Sequence, residues 1–154
     1  ILPILQRMGA KLEEGPESLT IHPSSLHGIR IDASDCPDLV PILSVAAALA
    51  KGTTEIIHAE RLRLKECDRL KAMASELTKM GAHVEERPDG LIIRGVPMLH
   101  GAGADSWNDH RVAMSLAIAA TRSDGPVILT GSESVQKSYP QFWQDYESLG
   151  GKIK

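Results

Sequence analysis

Apolar residues recur along this chain with periods that switch between helix and strand. Leu70, Met73, Leu77 and Met80 are three or four apart, the 3.6-residue signature of a helix with one core-facing stripe. Two longer stretches, PDLVPILSVAAALAK at 37–51 and DHRVAMSLAIAATR at 109–122, are apolar nearly all round and predict buried helices. Each is followed by a short β-rich run, TTEIIH and PVILTG, that predicts a strand.

The pattern repeats. LQRMGAKLEE at 5–14 returns as LTKMGAHVEE at 77–86, a shift of 72, and YESLGGKIK closes the chain at 146–154. Each copy predicts a helix stopped by glycine (Gly9, Gly81, Gly150) and followed by a strand. GPESLTIHP and RPDGLIIRG then predict β-hairpins, the second turning at Asp89-Gly90. Next come an extended segment (28–33, then 101–107), the buried helix closed by Gly52 or Gly125, and the strand. An outer helix ends each unit, expected to start near Leu64 in the first copy and near Tyr139 in the second. The fold class is therefore α/β (α+β), built from repeated βαβ-type units at about 5–76 and 77–148. Repeated units bury their faces on one another, and roughly three make a self-contained stack. With two present and Ile1 in place of methionine, residues 1–154 read as a single-domain piece of a longer protein.

Charge breaks this pattern at one place. In RLRLKECDRL, 61–70, six of ten residues are charged, and the apolar stripe continued backwards by a turn lands on Glu66 and Arg69. Such groups are costly to desolvate without a partner or ligand. Lys65 and Arg69, four apart, would repel by about 0.2–0.5 kcal/mol on one helix, and a bound anion would relieve this. Placed on the repeat, Asp38 starts the first buried helix and Asp109, His110 and Arg111 start the second. Lys65, Glu66 and Arg69 open one outer helix, and Lys137 precedes the other. All are expected at helix N-terminal ends, where free N–H groups favour anions. Asp38 and Glu66 add acid–base capacity. Each also admits a structural reading: Asp38 serving the helix dipole, Asn108 or Asp109 as a cap, Arg111 in a salt bridge, Lys137 as a surface lysine, His110 as a hydrogen-bonded histidine.

Composition narrows the classes. The net charge of -3 argues against a nucleic-acid binder. The longest nearly apolar run, Leu39–Ala50, is too short to span a bilayer, and no signal peptide is recognisable. Cys36 and Cys67 form no disulfide or zinc signature, and a cytoplasmic setting is expected. With 3% aromatics, the core must be aliphatic.

The strings RLRLKECDRLKAMASELTKMGAHVEE, NDHRVAMSLAIAA, SVQKSYPQFW and DCPDLVPILSVAAALAKGTT resemble the C-terminal part of the 5-enolpyruvylshikimate-3-phosphate synthases, also called 3-phosphoshikimate 1-carboxyvinyltransferases. The likeness covers essentially the whole chain and is carried by K-E-x-D-R, D-H-R-x-A-M and K-[ST]-[YF]-P in that order. The sister UDP-N-acetylglucosamine enolpyruvyltransferases share the repeat but not the first two motifs. The resemblance implies an inside-out α/β barrel with buried helices and outer sheets, as one of two domains. It implies the partners shikimate 3-phosphate and phosphoenolpyruvate, bound against a missing N-terminal domain, with no cofactor and no metal. It also implies that Asp38 takes the proton of the shikimate 3-phosphate hydroxyl, that Lys65 holds that substrate, and that Glu66 protonates phosphoenolpyruvate. Arg69, Arg111 and Lys137 would bind phosphoenolpyruvate, with His110 bordering the site. Cys67 stands where Ser or Thr is more familiar. Arg61 stands where some members use Asn, so that contact is not carried over.

Overall fold

The computed structural model describes residues 1–154. A short helix α1 (Leu2–Arg7) leads into strands β1 (Lys11–Glu14), β2 (Leu19–His22) and β3 (Arg30–Asp32). A 3-10 turn, Pro37–Leu39, opens helix α2 (Val40–Ala48), followed by β4 (Thr53–Ile57), a second 3-10 turn, Glu60–Leu64, and helix α3 (Arg69–Lys79). The second unit runs through β5 (His83–Arg87), β6 (Gly90–Arg94), β7 (Gly103–Asp105), α4 (His110–Ala120), β8 (Ile128–Thr130), a 3-10 turn, Ser132–Lys137, and α5 (Phe142–Ser148).

The two units obey one wiring rule. β3 and β4 are parallel and joined over α2, while β7 and β8 are parallel and joined over α4. The hairpin of the second unit, β5–β6, adds to β4 of the first, giving the order β3-β4-β6-β5. The hairpin β1–β2 and the pair β7–β8 are separate two-stranded sheets. Thus β2 and β8 keep open the edges that their counterparts, β6 and β4, use on each other. No sheet closes on itself, so what is present is an arc of the inside-out barrel.

Helices α2, α3 and α4 touch one another in the interior. Seven of the nine residues of α2 are buried. The stripe of Leu70, Met73, Leu77 and Met80 is fully buried, and each such side chain contributes about 1.5–3 kcal/mol. Trp107 packs against the edge of this core, while Phe142, Trp143 and Tyr146 form a separate patch that fastens α5 to α4.

Several boundaries differ from those the sequence predicts. The helix α3 is interior, packed on α2 and α4, whereas α5 lies outside and buries only Phe142. It starts at Arg69, not near Leu64, because Asp68 caps it by accepting the Lys71 N–H at 3.0 Å. Lys65 is extended, with ψ of -157°, so Lys65 and Arg69 are not neighbours on one helix and the expected repulsion does not arise. The second outer helix likewise begins after Tyr139, at Phe142, α4 ends at Ala120, five residues before Gly125, and residues 151–154 form no strand.

The glycine stops are as expected. At Gly9, Gly81 and Gly150 the residue after the helix cap has φ of 96°, 87° and 97°. Each is followed by the same bond from the next N–H back to the third-last helical carbonyl, as in Ala82 to Leu77. Gly90 behaves differently. It is not in the hairpin turn, which is Pro88-Asp89, but pairs with Arg87 as the first residue of β6. It is required because a Cβ there would overlap the Ile56 carbonyl oxygen of β4.

Gly52 supplies the contrast, with φ of 88° and no atom near its missing Cβ. Gly52→Ala should therefore cost about 1–2 kcal/mol, the price of a left-handed L-residue. Gly90→Ala must separate two paired strands and should cost more, about 2–4 kcal/mol. Urea midpoints of the two variants in the full-length protein check the order.

Candidate active site

Arg69 is the first residue of α3, and its side chain is only 2% exposed. An arginine in a core survives only if its donors are used, and three carboxylates use them. Nε donates to Asp109 Oδ2 at 2.7 Å, one Nη to Asp38 Oδ1 at 2.9 Å, and the other to Glu66 Oε2 at 2.6 Å. Burial lowers the arginine's affinity for its proton, but Asp109, Glu66 and Asp38 more than reverse this and raise its pKa.

Asp109 is the floor of the cluster. It is fully buried, and its other oxygen caps α4 by accepting the Arg111 and Val112 N–H groups at 2.8 and 3.3 Å. The Cys67 thiol also points at it, 3.7 Å from Oδ2. Burial first, then the Asp109 charge, push that thiol up to about 12.

Above this floor the cluster opens to solvent. Asp38, in the 3-10 turn ahead of α2, lies 3.3 Å from Lys65 Nζ and 3.5 Å from Arg111 Nη2. Burial acts to raise its pKa, but Arg111, Lys65 and Arg69 together lower it below the ordinary carboxylate value. Asp38 is therefore ionised at neutral pH. The second oxygen of Glu66 lies 3.9 Å from His110 Nδ1, a buried atom with no hydrogen-bond partner.

Six of the seven residues singled out in the sequence meet here: Asp38, Lys65, Glu66, Arg69, His110 and Arg111. Lys137 is one step removed. It donates to the carbonyl and the side-chain oxygen of Asn108, the latter at 2.9 Å, and so holds the loop that carries Asp109, His110 and Arg111. The expectation of four helix starts is corrected to two. Only α3 and α4 present their first turns to the site, Asp38 sits in a 3-10 turn, Lys65 and Glu66 precede α3, and Lys137 ends a 3-10 turn.

Three contributors were not singled out. Asp109 was read only as a cap, since nothing local marks it as buried. Arg63 donates to Asp68, Glu86 and the carbonyls of Arg87 and Pro88, which ties the turn before Lys65 to the β5–β6 hairpin. Glu76 is a fully buried carboxylate on α3. Its position, seven residues after Arg69 and next to Leu77 on a buried stripe, was the available signal. No set of three His, Cys, Asp or Glu side chains is arranged to hold a metal ion, and no helix is long and apolar enough to cross a membrane. Two surface grooves lie over the outer strands, around Thr78 and Arg94 and around Arg30 and His58, and contain none of the cluster residues. The cluster is instead an open face, with side chains of Lys65, Glu66, Asp38 and Arg111 36–43% exposed.

Buried helices within an arc of sheets, with this charged face at their ends, make the fold that of the enolpyruvyl transferases. Over 99% of its length the chain superposes on 39% of the EPSP synthase of Acinetobacter baumannii, with a TM-score of 0.88 and 33% identity. The family profile of EPSP synthase (3-phosphoshikimate 1-carboxyvinyltransferase) matches residues 1–146, and the chain belongs to that family. It is 56% identical over 153 residues to the 3-phosphoshikimate 1-carboxyvinyltransferase of Clostridium novyi and 58% identical to that of Clostridium acetobutylicum. The match takes in 99% of this chain but 35% of each relative, so the chain spans about a third of their length.

Two outcomes are expected. A thiol near 12 is almost entirely protonated at pH 8. Cys67 should therefore resist iodoacetamide in the folded full-length protein and label on unfolding, as read by peptide mass spectrometry. Glu76 is held below its ordinary value of 4.5, because bonds from Lys79, Trp107 and Asp105 outweigh burial, which alone would raise it. A depressed folded pKa contributes stability in full above 4.5 and loses it as pH falls through the lowered value. Glu76→Gln should therefore flatten the acid limb of the stability curve below that pH, measured by urea unfolding.

Proposed function

We propose that the full-length protein transfers the enolpyruvyl group of phosphoenolpyruvate to the 5-hydroxyl of shikimate 3-phosphate and releases phosphate. One observation carries the reading: two half-exposed carboxylates, Asp38 and Glu66, share one buried arginine and are flanked by Lys65 and Arg111. That is a base, an acid and anion-binding cations on a single face.

In this reading Asp38 removes the hydroxyl proton of shikimate 3-phosphate, which Lys65 holds, and the freed oxygen attacks C2 of phosphoenolpyruvate. Glu66 delivers a proton to the methylene carbon, so that the double bond becomes a methyl group and a tetrahedral adduct forms. Loss of phosphate from C2 with a proton from that methyl restores the double bond. Arg69 has five N–H donors and uses three on carboxylates. The outer edge of Arg69, where Asp38 and Glu66 now bind, would take the carboxylate and phosphate of phosphoenolpyruvate together with Arg111 and Lys137, since these anions favour the planar guanidinium. His110 borders this pole of the site.

Charge bookkeeping supports a second contributor. Lys65, Arg69 and Arg111 balance Asp38, Glu66 and Asp109 within the cluster. Even with Lys137 added, one net positive charge is too few to hold two multiply charged anions. We assign the further cations to the remaining two thirds of the protein, the N-terminal domain of a cytoplasmic two-domain enzyme.

In the full-length protein, phosphate should be released from phosphoenolpyruvate only when shikimate 3-phosphate is present. Asp38→Asn and Glu66→Gln should each lower kcat by about 100-fold or more, the span of general acid–base catalysis. Turnover with UDP-N-acetylglucosamine would overturn the substrate assignment, and unchanged kcat in both variants would leave only an anion-binding module. The isolated 154 residues should turn nothing over, and a measurable rate would refute the need for a second domain.

A further inference from the structure

We propose that Glu76 is a positioning residue: from beneath, it sets the loop that places Asp109, His110 and Arg111. The inference rests on the reaction assigned above. The loop runs from Asp105 to Asp109, between β7 and α4. Its two central residues, Trp107 and Asn108, both have φ of 53°. A left-handed conformation costs a non-glycine residue about 1–2 kcal/mol, so two in succession persist only where surroundings over-determine them.

The helix α3 supplies that constraint at two points. At its start, Arg69 grips Asp109. Seven residues on, two turns along the same face and about 10 Å away, Glu76 grips the other end of the loop. Its Oε2 accepts the Asp105 N–H at 3.0 Å and its Oε1 accepts the Trp107 indole N–H at 2.9 Å. Lys79 Nζ, 2.8 Å from both oxygens, balances the buried charge from the half-exposed side without touching the loop.

The repeat provides an internal control. The first copy has the same turn, in which Asp32 Oδ1 accepts the Ser34 N–H as Asp105 Oδ1 accepts that of Trp107. Yet its residues 33–38 have no positive φ, and the counterpart of Glu76, at the 72-residue shift, is Ile4. Strain and the buried carboxylate occur together, and only in the copy whose loop leads into the Asp109-His110-Arg111 string.

Asp38 and Lys65 are carried by other segments, so loosening this loop should act on one substrate. In the full-length enzyme, Trp107→Phe and Glu76→Gln should raise the KM for phosphoenolpyruvate about tenfold, a loss typical of a small misplacement. The KM for shikimate 3-phosphate should stay within about twofold, since the loop carries none of its ligands. Lys79→Met should lower Tm but leave both KM values within about the same factor, since it touches only Glu76. If Glu76→Gln fails to fold, Trp107→Phe decides alone. A lowered Tm with unchanged KM for phosphoenolpyruvate, or an equal KM rise in Lys79→Met, would overturn the proposal. Should the wild-type protein not run the reaction at all, the backbone amide resonances of Asp109 and Arg111 still decide. They should shift in Trp107→Phe and not in Lys79→Met, and resonances that stay in place in Trp107→Phe would refute the positioning role.

Discussion

The Arg69 guanidinium is the joint on which this structure depends. Its side chain lies in the core at the end of a hydrophobic stripe, where an uncompensated charge would cost several kcal/mol. Its three carboxylates come from three places in the chain: the turn before α2, the segment before α3 and the cap of α4. The first belongs to one repeat and the last to the next. One buried charge therefore links the repeats at the end where their helices converge, and the same bonds assemble the charged face. Fold and site share a single electrostatic requirement.

Duplication explains how two such similar units yield one site. Both have the parallel strand pair, the buried crossover helix and the glycine-stopped helix before a hairpin. They differ at the entry to the crossover helix. In the first copy a 3-10 turn carries Asp38, whose outward carboxylate is held ionised by Arg111, Lys65 and Arg69. In the second, two left-handed residues bring Asp109 inward as a full cap. One carboxylate is thus left facing solvent, and the other is spent on structure.

Much of this was legible in the residues, for identifiable reasons. Burial of α2 and α4 follows from an apolar surface all round, and the helix stops at Gly9, Gly81 and Gly150 follow from the left-handed φ that glycine tolerates. Placing the charged residues on the repeat points to the meeting of Asp38, Lys65, Glu66, Arg69, His110 and Arg111, although only α3 and α4 bring their first turns to it. What escaped were decisions made by single hydrogen bonds. Asp68 capping shifts the start of α3 to Arg69, and Lys65 thereby leaves the helix. Gly90 is dictated by the passing Ile56 carbonyl, which no local pattern reveals. Two bonds from Lys137 to Asn108 tie it to the loop, a contact that no local pattern reveals. The position of Glu76 on a buried stripe is a signal, but its partners, Trp107 and Asp105, come from a loop that no local pattern places against α3.

The geometry also divides Arg69 into two working halves. The Nε–H is committed to Asp109, which is fully buried and cannot turn to water if released. Breaking that bond would strand two buried charges, at about 3–5 kcal/mol. The two Nη groups face Asp38 and Glu66, whose side chains are about 40% exposed and can be solvated when an anion takes their place. An incoming carboxylate or phosphate therefore competes only for the outer edge of the guanidinium, while the inner edge keeps the plane of the fork fixed. Exchange at Arg69 is thus confined to Asp38 and Glu66, and the Asp109 bond stays in place.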